Sequence, residues 1–281
     1  MTVINTNTSA AYAQNAMKTN ARFMSTAMEQ LSTGSRVNSA GDDAAGLAIG
    51  QNMTSQIRGL SMAIRNVNDG INMMQTSEGA MVEQSNMLQR MRELAIQAMN
   101  GTYSNVQRGY LDKEFQELTS QIDQIANDTM WNDQSLLTGS GGATSNGVFT
   151  FQAGQAADQT ISVTIGAMTK TGLNLVNSSG VAVSIGSGDT ATSALTAISS
   201  ALETINEQRA AIGAGINRMQ YTVDNLANIA SNQTQSRSTI LDTDYAIATT
   251  QLAKTQIIQQ ASTAMLAQAN QQAQAVMALL K

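Results

Sequence analysis

Asp42 and Asp43 are the residues that first look capable of chemistry, because adjacent carboxylates can share a proton or hold a cation. Neither role finds a partner. The 281-residue chain has no His and no Cys, which removes imidazole bases, thiolate nucleophiles and the usual zinc ligand sets. Paired acids just before a helical stretch serve as caps for free N–H groups, and that is the reading adopted for Asp42 and Asp43. Gly139-Ser140-Gly141-Gly142 has the look of a phosphate cradle but lacks a following Gly-Lys-Ser/Thr, so it reads as a flexible turn. Met73, Met74, Met81, Met87 and Met91 could line an adaptable peptide groove. At helical spacing they read as core. The expectation is a non-enzyme with no cofactor, no metal and no catalytic residue.

Composition narrows the partners. Lys and Arg number 15 against 20 Asp and Glu, a net charge of −5. Nucleic-acid affinity comes mostly from neutralising phosphates, so no nucleic-acid partner is expected. Charged residues make up 12% and aromatics 4%, low for an ordinary domain. The N-terminus lacks the basic start and apolar core of a Sec signal. No run approaches the ~18 apolar residues of a membrane span, so no membrane insertion is expected. A cytoplasmic protein and one exported by a route bypassing Sec both fit.

The elements emerge from apolar spacing. Met17, Ala21, Met24, Met28 and Leu31 form a first stripe. Met53, Ile57, Leu60, Ile64, Val67, Ile71, Met74, Met81 and Leu88 form a longer one, and Leu111, Phe115, Leu118, Ile122 and Ile125 a third. Leu195 to Leu226 carries a fourth, and Ile258, Ala261, Met265, Ala269, Ala273, Val276 and Leu280 the last. These narrow stripes have a coiled-coil character. With no Pro to break them, long helices packed side by side follow. Gly34, Gly41, Gly46 and Gly50 read as a loop or joint. Residues 139–190 differ: Phe149 with Phe151, Ile161-Val163-Ile165 and Val181-Val183-Ile185 alternate with small or polar residues, which predicts strands.

The two ends are nearly free of charge. Lys18 is the single charged side chain from Met1 to Ala21, and Lys254 and Lys281 are alone from Ala246 onward. Apolar stripes flanked by neutral amides suit burial against copies of the same chain. Met17, Met24, Met28, Leu31, Ile258, Met265, Leu266, Val276 and Leu280 are the residues expected to drive that association.

The order of motifs resembles the bacterial flagellins. Leu31-Ser32-Thr33-Gly34-Ser35-Arg36-Val37-Asn38-Ser39-Ala40-Gly41-Asp42-Asp43-Ala44-Ala45-Gly46-Leu47-Ala48-Ile49 is similar to their signature. Gln89 to Gln97 matches a second block, and Phe151-Gln152-Ala153-Gly154 with Gln159 to Val163 a hairpin. Asn217-Arg218-Met219, Asp242 to Ala246 and Leu266 to Gln272 match the C-terminal half. Three features depart from the pattern: Ala273 in place of the usual Pro, Trp131-Asn132-Asp133 in place of Phe-Asn-Gly, and no large outer variable region.

The resemblance implies a mainly α fold, a long coiled-coil-like bundle with paired N- and C-terminal helices and a small β-hairpin region. Residues 1–43 and 245–281 would form the filament-core domain. Residues 44–244 would form an inner rod domain with its β region at about 147–187. The implied function is a structural subunit that polymerises with itself into the flagellar filament, outside the cell, with no cleavable signal peptide. An export chaperone, the filament cap and hook-junction proteins are the implied partners. Arg90, Leu94 and Glu114 occupy positions through which matching flagellins are recognised by Toll-like receptor 5 as monomers. A hook–filament junction protein and a surface adhesin or glycan-binding homologue are the alternatives. A metalloprotease insertion would require His.

Overall fold

A computed structural model of the chain describes residues 6–142, 145–176 and 181–278, with side chains up to 271. Five helices account for most of it: α1 (Thr8–Thr33), α2 (Ala44–Met99), α3 (Asn105–Asp128), α4 (Gly188–Leu241) and α5 (Tyr245–Ala278). Between α3 and α4 lie two antiparallel strand pairs, β1 (Met130–Trp131) with β2 (Gln134–Ser135), and β3 (Val148–Gln152) with β4 (Thr160–Thr164). The architecture is the mainly helical one that the stripes predict.

Local signals explain where the elements start and stop. The Asn7 side chain accepts from Ala10 N–H at the head of α1, and Gly34 closes it at φ 70°, its N–H donating to Gln30 O. Ser104 and Gln107 form a reciprocal capping box on α3. Asn132 and Asp133 both sit at positive φ, 49° and 61°, and make the two-residue turn between β1 and β2. Such turns demand left-handed backbone, which Asn and Asp tolerate better than most residues.

Contacts divide the chain into two compact units. One comprises Met1–Ile57 with Ser231–Lys281, the other Arg58–Ala230. The divisions fall inside α2 and α4 because packing of the terminal segments continues beyond the loop at 34–43: Gly50, on α2, lies where a Cβ would be 2.6 Å from Leu241. Gly46 and Gly50 are therefore helical, not loop residues as their spacing predicts, and each makes room for a neighbour.

The core of the Arg58–Ala230 unit follows the stripes closely. Met74, Met81, Leu88 and Met91 on α2, Ile122 on α3 and Ile198, Ile205 and Ile212 on α4 are fully buried, alongside Leu136, Ile165 and Ile185 from the connecting segment. The methionines are core, as their spacing predicts. Gln84 is buried among them, and its amide donates to Ile122 O (3.1 Å) and Met168 O (3.0 Å), tying α2 to α3 and to the segment after β4.

In the β region, Ile161 and Val163 point inward while Thr160, Ser162 and Thr164 face out. Phe151 lies against Gly70, where a Cβ would come within 3.0 Å of its ring. Residues 181–185, expected as a strand, form only an isolated bridge between Val176 and Ala182. Beyond Val183 N–H, which donates to Leu175 O at 3.0 Å, side chains of α3 supply the bonds: Gln116 donates to Val183 O and Asp112 accepts from Ile185 N–H at 2.7 Å. The Gly139–Gly142 turn is packed instead of flexible, since a Cβ on Gly141 would stand 2.1 Å from Ser135 O.

Candidate functional site: the paired terminal helices

Within the terminal unit, α1 and α5 run antiparallel in one register. Three side-chain bonds to backbone mark it: Asn7 Nδ2 to Ala269 O (3.1 Å), Asn20 Nδ2 to Thr255 O (2.8 Å) and Tyr245 Oη to Leu31 O (3.1 Å). As the α1 partner moves up from Asn7 to Leu31, the α5 partner moves down from Ala269 to Tyr245. The sheltered positions on α1 are Ala10, Ala13, Met17, Asn20, Met24, Ala27 and Leu31, alternating in threes and fours; those on α5 are Ala248, Leu252, Thr255, Gln259, Ser262, Leu266 and Ala269. That is a heptad seam made largely of small and polar side chains.

The residues expected to drive association divide accordingly. Met17, Met24, Leu31 and Leu266 are half-buried along the seam. Met28 (53% exposed), Ile258 (38%) and Met265 (65%) point away from it. The side chain of Val276, on α5, and all of Leu280 lie outside the described residues. The pair thus covers part of its apolar set internally and leaves the rest outward, with Tyr12, Phe23, Ile247 and Ile257 also more than half exposed. An open groove of about 620 Å³ runs between the helices, lined by Tyr12, Ala13 and Ala16 from one and Ile258, Ala261 and Met265 from the other. Each of the larger apolar side chains stands to gain roughly 1.5–3 kcal/mol on full burial. Lys254 is the single charge on the described part of α5, so little opposes that burial electrostatically.

The signature loop holds this unit together. Arg36 N–H donates to Leu241 O (2.6 Å) and its guanidinium to Ile240 O (2.7 Å), placing a cation on the last carbonyls of α4, where the helix dipole favours it. The same guanidinium pairs with Asp43 at 3.4 Å. Asp43 caps α2 through Gly46 N–H (2.8 Å), as expected of it, whereas Asp42 caps the loop itself, accepting from Ser39 N–H, Asn38 N–H and the Ser39 hydroxyl.

These bonds hold both carboxyls below their ordinary value of 3.8. For Asp42 the largest cause is Ser39 N–H, then Asn38 N–H; for Asp43 it is Gly46 N–H, with Arg36 adding to it. A depressed folded-state value means the stabilisation is present above pH 3.8 and disappears as pH falls through the folded values. Melting temperature should therefore fall more steeply with acidification below pH 3.8 in the wild type than in an Asp42→Asn/Asp43→Asn variant. Parallel curves from calorimetry would contradict it.

In the other unit, Arg90 pairs with Glu114 (2.9 Å) on α3 and with Glu93 (3.0 Å), and both Arg90 and Glu114 are about half exposed. Leu94 is only 1% exposed. The structure brings Arg90 and Glu114 together at the surface and places Leu94 in the core. Asn20 and Thr255, both at most 5% exposed, are the site residues that spacing did not reveal. Apolar periodicity passes over an Asn and a Thr; the available signal was their position in a heptad of small residues.

A model of the bacterial flagellin N-terminal helical region matches residues 4–141, and one of the C-terminal helical region matches residues 195–280. The chain belongs to the bacterial flagellin family. The flagellar filament 30.7 kDa core protein of Treponema maltophilum is 40% identical, with 99% of each chain covered. A flagellin of Halalkalibacterium halodurans is 41% identical over 99% of this chain and all of its own length. The fold is shared with a putative flagellar hook-associated protein from Vibrio parahaemolyticus, at 12% identity and a TM-score of 0.59, covering 71% of this chain and 99% of that one. Relatives of matching length agree with a short flagellin in which β4 leads back to α4 without a large outer domain.

Proposed function

We propose that this chain is the structural subunit of a flagellar filament, an open helical homopolymer outside the cell that serves swimming motility. The observation that carries the reading is the outward apolar face of the charge-poor α1/α5 pair, with Tyr12, Ile258 and Met265 left uncovered in the lone subunit. Exposed patches of this kind mark association surfaces. A head-to-tail contact that does not close extends into a filament. In this reading residues 1–43 and 245–281 form the filament core and residues 44–244 the layer around it. The family's partners follow: export through the flagellar channel, a chaperone on the C-terminal segment, hook-junction proteins below and a cap at the tip.

The test is negative-stain microscopy of the purified chain after salt-induced association. Long filaments of uniform width are expected. A chain that stays monomeric, or yields only shapeless aggregate, would overturn the reading. The filament role is favoured over a hook-junction role because the filament core protein matches at 40% over full length, whereas the hook-associated protein shares only the fold.

Recognition of the monomer by Toll-like receptor 5 would use the Arg90–Glu114 pair directly, with Leu94 supporting α2 from beneath. Arg90→Ala should weaken binding of monomer to the receptor ectodomain by roughly tenfold or more, the usual loss for a central interface arginine. Unchanged affinity by surface plasmon resonance would remove Arg90 from the recognition surface.

A further inference from the structure

We infer that Met265, together with Met28, is an oxidation site through which peroxide holds unassembled subunits out of the polymer; the inference rests on the filament reading above. All of the chain's sulfur is thioether, since it has 17 Met and no Cys. Most of the core methionines are sealed: Met74, Met81, Met91 and Met219 have no exposed surface. Exposed methionines occur in both units, Met130 at 53% and Met62 at 47% in the Arg58–Ala230 unit, but Met265 at 65% is more exposed than either, and it and Met28 (53%) lie on the α1/α5 pair. Met17 and Met24, on the seam, are half-covered by the partner helix.

Position gives the modification its consequence. Met265 lines the groove beside Ile258 and Tyr12, on the face a neighbouring subunit would cover. Peroxide transfers one oxygen to the sulfur: the O–O bond breaks, an S–O bond forms, sulfur loses two electrons and the peroxide leaves as water. The product sulfoxide is polar and accepts hydrogen bonds strongly. Both side chains point away from the α1/α5 seam, so the subunit's own fold tolerates the change. Covering an unpartnered sulfoxide with a neighbour is costly, and the critical concentration for assembly should rise at least about tenfold. Once assembled, the same side chains are shielded, so the device acts on free subunits. Sulfoxide reductases make it reversible.

The experiment uses the full chain, treated with hydrogen peroxide before or after salt-induced assembly, with sulfoxides mapped by peptide mass spectrometry and polymer measured by sedimentation. Met265 and Met28 should oxidise ahead of the core methionines in free subunits, and several-fold more slowly in filaments. Oxidised wild-type subunits should fail to assemble at concentrations where untreated ones succeed. A Met28→Leu/Met265→Leu variant keeps apolar side chains of similar volume and should assemble equally before and after treatment. Normal assembly of wild type carrying sulfoxide at Met265, equal oxidation in free and assembled chains, or equal inactivation of the double variant would each overturn the inference. Failure of the untreated wild type to assemble would overturn the filament reading, and this inference with it.

Discussion

A chain lacking residues 245–281 is expected to form no filaments at any concentration at which the intact chain forms them, while the Arg58–Ala230 unit melts as before. Removing α5 strips away the seam partner of α1 and half of the outward apolar face. What remains of the pair is a 26-residue helix with no cover for Ala10, Met17, Met24 or Ala27. An unsupported helix of that length is marginal in water, because most helical stability in proteins comes from packing an apolar face. The core of the other unit draws its residues from within Arg58–Ala230, the last of them being Leu226 and Ala230 on α4, so the deletion removes none of them. Trp131, the sole tryptophan, packs against that core and reports on it by fluorescence. Sedimentation after salt induction and a Trp131 thermal melt give the two readouts. Filaments from the truncated chain would show that α5 is dispensable for assembly; a lowered Trp131 transition would show that the units are not separable in the way proposed.

Where side chains are buried by the chain itself, the sequence was a good guide. The spacing of Met74, Met81 and Leu88 predicts a buried helix face, and all three are fully covered. The alternation of Ile161 and Val163 predicts β4, and both point inward. Spacing failed where apolar residues occur on more than one side of a helix. Met17, Ala21, Met24, Met28 and Leu31 read as one stripe, yet Ala21 and Met28 are exposed while Asn20 and Ala27 are buried. On α5 the stripe through Ile258, Ala261 and Met265 is adjacent to the true seam, which runs through Thr255, Gln259 and Ser262. A helix that must satisfy a partner in its own chain and others outside it carries two patterns superposed, and periodicity alone reports their sum. The expected strand at 181–185 failed for a different reason: apart from one bond to Leu175 O, side chains of α3 supply its partners, and no local pattern encodes them.

Asn20 offers the sharpest separation between these two patterns. It is 5% exposed, and its amide nitrogen donates to Thr255 O at 2.8 Å and to Gln259 Oε1 at 3.3 Å. Asn20→Asp replaces that donor by a carboxylate facing two oxygens. Burying the ion without a donor should cost on the order of 3 kcal/mol or more, enough to open the α1/α5 pair at neutral pH and abolish assembly. Asn20→Leu removes the polar group altogether. Thr255 O lies within α5 and keeps the helix's own bonding, and Gln259, half-exposed, can turn its amide to water. The pair should therefore hold or gain slightly in thermal stability, as when buried polar partners give way to an apolar group. What Leu loses is the single geometry that the amide enforces, since a buried Asn in a heptad seam selects register and partner. Filaments from Asn20→Leu should form, but with a spread of diameters and supercoil shapes absent from the wild type. Circular dichroism melts and microscopy of the two variants side by side decide the matter. If Asn20→Asp assembles normally, or Asn20→Leu is the more damaging of the two, then Asn20 acts by shape alone and the amide contact has no part in holding the terminal helices together.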